Sequence, residues 1–220
     1  MSKQRTGSSE EIPAELKRLL PPATVAAWLK VSRLVPASAY LAGGTGLTVH
    51  LLHRVSRDLD FFCESDEDLE ETAQSLDCAG SVFYDERSTN TLTGTFDETK
   101  LQIFSVPHVT LLKPTVTVAG IRVASVPDIL AMKLKTLVDR GEMRDYFDLM
   151  MIEQQAGLSV LHGLDLAIEK FHPAEPEGFR TLMLLGLRST HDVEEDPTLP
   201  IDSAKVTEYW ANRARSLPDH

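Results

Sequence analysis

Asp58 and Asp60 stand two residues apart in the run D-L-D-F-F-C, a short apolar stretch that reads as a β-strand. Successive side chains on a strand alternate between faces, so both carboxylates point one way. Leu59 and Phe61 then point the other way, into a core. Two carboxylates side by side repel each other unless a cation lies between them. Hard oxygen ligands of this kind suit Mg²⁺, which also takes oxygens from substrate phosphates. Such an ion can activate an attacking hydroxyl and stabilise a leaving pyrophosphate. A lone D-x-D would read more simply as a turn residue followed by a solvated strand residue.

A second feature lifts the pair above that bland reading. Gly43–Gly44 lies between a predicted strand, Ala37–Ala42, and a predicted helix, Thr45–Leu52, which Thr45 is placed to cap. Glycines let the backbone approach a ligand closely. The following helix N-terminus favours an anion such as a triphosphate. One helix and a turn separate Gly44 from Asp58. That length carries the chain up a helix and back beside the first strand, so the glycine turn and the carboxylates are expected to face one cleft.

The rest of the chain supplies a frame for this site. Residues 1–12 are polar and expected to be mobile. A helix interrupted at Pro21–Pro22 is expected over Ile12–Lys30, and another over Ser65–Leu76, opened by a serine cap and an acidic first turn. Strands are expected at Val82–Tyr84, Thr91–Phe96, Leu101–Val106 and Thr115–Val123, punctuated by Gly94, Pro107, Pro114 and Gly120. Beyond Val126–Pro127 the period becomes helical: Asp128–Val138, Met143–Ile152, Leu164–Lys170, Phe179–Leu187 and Ser203–Ser216, with His191–Pro200 as an acidic loop. The fold class is therefore α/β (α+β): a lead-in over 1–21, a mixed-sheet core over 22–125 and a helical C-terminal region over 126–220.

The sequence L-A-G-G-T-G-L followed by H-R-V-S-R-D-L-D-F-F resembles the AbiEii/AbiGii nucleotidyltransferase toxin family, within the DNA polymerase β-like nucleotidyltransferase superfamily. The stretch M-K-L-K-T-L-V-D-R-G-E-M-R-D-Y-F-D-L resembles the same family's lysine helix, basic turn and R-D-x-x-D-L block. The resemblance implies a polymerase β-like core and an Mg²⁺-dependent transfer of NMP from an NTP to an acceptor. Asp58 and Asp60 would hold the metal, and Gly43, Gly44 and Thr45 would cradle the triphosphate. Lys133 would steady the phosphates, and Asp148 would orient the lysine or support the acceptor. Arg57 and Arg144 are candidate phosphate contacts. Lys135 and Asp145 are close alternatives to Lys133 and Asp148. As an ordinary helix surface, Arg144 would instead pair with Asp148 one turn away. The resemblance further implies an RNA acceptor such as tRNA, a toxin role in a toxin–antitoxin or phage-defence pair, and a cognate antitoxin partner.

One departure bears on the chemistry. Polymerase β-like enzymes usually place a third carboxylate on a later strand, and the expected position here is Gln102, with Asp97 and Glu98 in a turn just before it. One metal ion is therefore the safer expectation than two. The formal net charge of −11 gives no overall attraction for nucleic acid. It suits a cationic small-molecule acceptor, of the kind aminoglycoside-modifying nucleotidyltransferases use, better than RNA. A catalytically silent nucleotide-binding member of the fold is a third reading. Cys63 and Cys78 form no metal motif or disulfide framework and read as buried small hydrophobes. His50 and His53 lack a third zinc ligand and read as packing or surface residues. Of Arg54 and Arg57, one is expected to meet phosphate and the other to pair with an Asp. Trp28 and Trp210 read as core or interface residues. The N-terminus lacks an apolar signal region and no stretch is long enough to span a bilayer, so the cytoplasm is the expected location.

Overall fold

The structure is a computed structural model that describes residues 11–79 and 82–218. The polar stretch 1–10 and His220 lie outside the described residues. Two compact units emerge, each stitched from separate pieces of chain. The first takes residues up to Thr45, Ser56–Pro107 and Thr115–Val123; the second takes Gly46–Val55, His108–Pro114 and the chain from Ala124 onward.

In the first unit, α1 (Ala14–Lys17) and α2 (Pro22–Val31) lead to β1 (Tyr40–Leu41), and α3 (Gly43–Leu51) begins there before continuing into the second unit. There follow β2 (Leu59–Cys63), α4 (Asp66–Ala79), β3 (Val82–Arg87), β4 (Thr91–Phe96), β5 (Thr99–Ser105), β6 (Val116–Val118) and β7 (Ile121–Val123). Among the described residues the strands form one mixed sheet in the order β3-β4-β5-β2-β1-β7-β6. Central β2 runs antiparallel to β1 and parallel to β5. Its side chains alternate between buried Leu59, Phe61 and Cys63 and half-buried Asp60 and Phe62. Phe62 stacks on Tyr40 at 5.7 Å and on Phe104 at 5.4 Å between ring centroids, a cross-strand ladder on the face that also carries Asp60. Trp28 of α2 is fully buried, as are Ala73 and Leu76 of α4 to within about a hundredth of their surface.

Several boundaries differ from expectation for physical reasons. β1 shrinks to two residues because a turn closed by Ala39 N–H on the Pro36 carbonyl uses the preceding ones. The expected strand Thr115–Val123 is a hairpin. Ala119 and Gly120 take φ of 43° and 81°, the positive values a tight two-residue hairpin turn needs. Gly94 lies inside β4 and does not separate strands. Ile12, expected to be mobile, is buried, and Cys78, expected to be buried, is exposed. Cys63 is buried, and burial pushes its thiol up to about 11. Ser65 caps α4 as expected, its hydroxyl accepting the Asp68 N–H.

The second unit contains α5 (Val126–Asp139), α6 (Met143–Met151), α7 (Val160–Phe171), α8 (Pro176–Arg188) and α9 (Ser203–Ala214). The helix α6 runs on into a wide turn, Ile152–Ala156, ended by Gly157. Trp210, fully buried, donates its indole N–H to the Tyr146 carbonyl. A buried ion pair pins the inter-strand segment 108–114 to this unit. Lys170 Nζ lies 2.7 Å from Asp128 Oδ1 and 2.9 Å from the Thr110 carbonyl, while Asp128 accepts the Leu112 and Lys113 amides. Both side chains are wholly excluded from solvent. Removing one partner of such a pair strands the other charge. Lys170→Ala should therefore lower stability by about 3–5 kcal/mol in urea unfolding; an unchanged midpoint would contradict this role for the pair.

Glu153, in the wide turn, accepts from Tyr209 Oη, Arg213 and the Val160 amide. Burial opposes its ionisation, but these donors hold its carboxyl below the usual glutamate range. A depressed carboxyl contributes stability above its unfolded value, and that contribution is lost as the pH falls through the folded one. Glu153→Gln should therefore lower the Tm at pH 7 and flatten the loss of Tm on acidification below about pH 4.

Candidate functional site

The glycine turn and the second carboxylate meet in the first unit. Gly43 opens α3 with φ of +61°, and a Cβ placed there would fall 2.1 Å from Asp60 Oδ2. Only a residue without a side chain lets the Asp60 carboxylate sit over the start of the helix. The register explains the approach. The Ala42 amide donates to the Asp60 carbonyl at 2.9 Å, and Leu41 pairs with Phe61, so β2 passes the end of β1 where the chain turns into α3. Asp58 directly precedes β2 and is, like Asp60, half-buried.

Thr45 differs from expectation. α3 begins two residues earlier than predicted, so Thr45 lies within its first turn and does not cap it. Its hydroxyl is fully buried, donates to the Asp58 carbonyl and lies 2.8 Å from Ser56 Oγ. Thr45 thus fixes the backbone that carries Asp58, and its hydroxyl is already committed. Arg57 has an exposed side chain, and its carbonyl accepts from Thr24 Oγ1.

The neighbour of Asp60 on β5 is Gln102, in direct register, and its amide donates to Thr93 Oγ1 on β4 at 3.4 Å. Asp97 and Glu98 form the β4–β5 turn, where Lys30 reaches Asp97 at 2.5 Å. No cluster of three His, Cys, Asp or Glu placed to hold a metal occurs among the described residues. The donor set of two carboxylates beside a neutral amide fits one divalent ion that draws its remaining ligands from phosphate and water.

The second unit gathers the other sequence candidates. Lys133 of α5 is almost fully buried, with Nζ 2.6 Å from Asp145 Oδ1 and 2.8 Å from Asp148 Oδ2, both on α6. Asp145 also accepts the Glu142 amide in a capping box at the start of α6. Asp148 is fully enclosed. Arg54 grips it from Nε at 2.6 Å and Nη2 at 2.8 Å, and His53 Nε2 lies 2.8 Å away. Burial resists ionisation of Asp148, but Lys133 and Arg54, with hydrogen bonds from Arg54 and His53, hold it well below the usual carboxylate range. Burial likewise disfavours the Lys133 ammonium, yet Asp145 and Asp148 together raise its pKa. Lys135 pairs with Asp139 on the surface, and Arg144 pairs with Glu142 at 2.5 Å. His50 lies against the Ala124 carbonyl at 2.8 Å.

Of Arg54 and Arg57, one was expected to pair with an Asp, and Arg54 does; that the Asp is Asp148, 94 residues away, and that His53 joins it across 95 residues, was not foreseen. No helical or strand period links such positions. The one available hint is that both precede Asp58 in an otherwise short connection.

The sheet topology is that of the polymerase β-like nucleotidyltransferases. The chain resembles the MenT4 nucleotidyltransferase toxin of Mycobacterium tuberculosis H37Rv with a TM-score of 0.53 and 19% identity, over 89% of this chain and 84% of that one. It also resembles the aminoglycoside enzyme ANT(2")-Ia, solved in complex with adenylyl-2"-tobramycin, with a TM-score of 0.51 and 13% identity, over 70% of this chain and 95% of that one. At those identities the likeness establishes the fold. The family profile described as nucleotidyl transferase AbiEii toxin, type IV TA system, matches residues 34–111 and 97–220. The chain belongs to that AbiEii nucleotidyltransferase toxin family. A curated relative, the uncharacterized protein aq_aa25 of Aquifex aeolicus (strain VF5), is 32% identical over 130 residues, or 58% of this chain. The match spans 60% of that relative's length. No helix among the described residues is long and apolar enough to cross a membrane.

Gly43→Ala tests the geometry of the first unit. The added methyl would force Asp60 aside, and nucleotide transfer should fall by about 100-fold, as expected for a small displacement of a reacting group. Undiminished transfer would show that Asp60 need not sit over the turn.

Proposed function

We propose that the protein transfers NMP from an NTP to a hydroxyl of an RNA acceptor of tRNA size, releasing pyrophosphate. The observation that carries this reading is the seating of the Asp60 carboxylate directly over Gly43, at the N-terminus of α3. That arrangement would juxtapose a metal-binding carboxylate with the positive end of a helix, where a triphosphate is stabilised. Asp58 and Asp60 would hold one Mg²⁺ and Gly43 and Gly44 would receive the phosphates. When bound, the ion supplies charge neutralisation and polarises the phosphoryl oxygens.

In the transfer, a bond forms between the acceptor oxygen and the α-phosphorus. The bond from that phosphorus to the oxygen bridging to the β-phosphorus breaks, and the hydroxyl proton leaves for solvent. Lys133, held as an ammonium, would offset phosphate charge, and Arg57 and Arg144 would add cationic contacts. Thr45 contributes by holding the Asp58 backbone. The family supports a toxin role with a cognate antitoxin and an intracellular setting.

A second reading is favoured by one observation: the net charge of −11 suits a cationic small-molecule acceptor. Incubation with each of the four α-³²P-labelled NTPs and Mg²⁺, with total RNA or with an aminoglycoside as acceptor, separates the two. The expected result is label on a tRNA-sized band that disappears with Asp58→Ala/Asp60→Ala. Label on an aminoglycoside but not on RNA would support the second reading. Transfer that survives Asp60→Ala would overturn both.

A further inference from the structure

Asp148 offers two oxygens and about four lone-pair positions. In this structure all four are taken: Oδ1 by His53 Nε2 and Arg54 Nε, Oδ2 by Arg54 Nη2 and Lys133 Nζ. The side chain has no solvent exposure. A carboxylate so enclosed has no position from which to take a proton from an acceptor hydroxyl. It can hold the groups around it, and the one among them with a role in transfer is Lys133.

We propose that His53 and Arg54 are positioning residues of the transferase: they fix Asp148 as a charge anchor that holds Lys133 in place, and Asp148 takes no part in proton transfer. The proposal rests on the reading of Lys133 given above. It narrows the two roles considered for Asp148, orienting the lysine or supporting the acceptor, to the first.

The local backbone supports it. Leu52, immediately before His53, adopts φ of 50°, a left-handed conformation that glycine usually fills at the end of a helix. Such strain in a non-glycine residue persists only where the surroundings impose it, and it clusters at functional sites. Here it turns the chain out of α3 so that two consecutive side chains reach one carboxylate. Thr48 Oγ1 braces the turn by donating to the Arg54 carbonyl at 3.2 Å. The His53 ring stacks on Phe147 at 5.8 Å, and its Nδ1 is buried without a hydrogen-bond partner among the described residues. Its Nε2 faces Asp148 Oδ1 at 2.8 Å. On the other side Asp145 gives Lys133 a second carboxylate, itself fixed by the α6 capping box. Lys133 is thus held by two anchors, one set by a helix cap and the other by the α3–β2 connection.

The test has an activity arm and a labelling arm, each on the full chain with folding verified by thermal melts. In the first, kcat and KM for the NTP are compared for wild type, Arg54→Ala, Arg54→Lys, Lys133→Ala and Arg54→Ala/Lys133→Ala. Arg54→Ala should lower kcat by about 100-fold through misplacement of Lys133. Arg54→Lys should recover part of that loss, and the double variant should be no slower than Lys133→Ala alone, because residues acting through one group are not additive. Additive losses would overturn the proposal by showing that Arg54 acts independently of Lys133. If Arg54→Ala does not fold, Arg54→Lys and its double variant carry the same comparison.

In the second arm, Lys133 acetylation by acetic anhydride is followed by peptide mass spectrometry. His53→Ala removes one hydrogen-bond partner of Asp148 and should speed acetylation about threefold, the worth of one hydrogen bond. Asp148→Asn removes an anion and should speed it about tenfold. Equal protection in all three proteins would overturn the anchor. This arm needs no transfer activity. A wild type that moves no nucleotide, yet shows these labelling changes, would defeat the transferase reading and leave the anchoring of Lys133 standing.

Discussion

The approach of the Asp60 carboxylate to a backbone without a side chain is the constraint on which the proposed nucleotide site depends. Strand β2 can run past the start of α3 only because Gly43 presents no Cβ and accepts φ of +61°. The same register pairs Leu41 with Phe61 and sends Leu59 and Phe61 into the core, so burial of the apolar face fixes which way Asp60 points. A slip of one residue would bury Asp60 and expose Phe61. Thr45 then ties the helix to the Asp58 backbone, which makes the first turn of α3 and the entry to β2 one bonded piece.

The helical unit is organised by buried charge. Two carboxylates, Asp128 and Asp148, lie wholly out of solvent, and each is surrounded by cations or backbone amides from distant parts of the chain. Buried ion pairs are weak sources of net stability but strict specifiers of arrangement, because any misplaced partner leaves a charge uncompensated. Asp128 and Lys170 recruit the segment 108–114, and Asp148 recruits His53 and Arg54. Both segments belong by sequence to the earlier, sheet-forming half. The unit is therefore interleaved through two polar hubs and not only through hydrophobic packing.

This separates what the sequence made legible from what it did not. Asp60 on its strand, the glycine turn, β4 and the helices from Val126 onward follow from local periodicity and punctuation, and they lie close to where they were expected, while Asp58, expected on the strand, directly precedes it. The position of Gln102 beside Asp60 also followed, because a regular strand sets its own register. Long-range partnerships did not. Nothing in the spacing of His53, Arg54 and Asp148 marks them as one cluster. Tight turns were missed where a non-glycine residue adopts positive φ, as at Ala119 and Leu52, since no composition signal announces it. The interleaving of 46–55 and 108–114 is likewise a consequence of tertiary bonds.

In the proposed site Asp58 and Asp60, the latter seated over the Gly43 turn, hold a single divalent ion together with a nucleotide. Mn²⁺ binding measured by electron paramagnetic resonance, with and without a non-hydrolysable NTP analogue, addresses it most directly. The expected result is one ion per chain, bound tightly only with the nucleotide and lost in Asp60→Asn. Two ions per chain, or binding undiminished by Asp60→Asn, would contradict it.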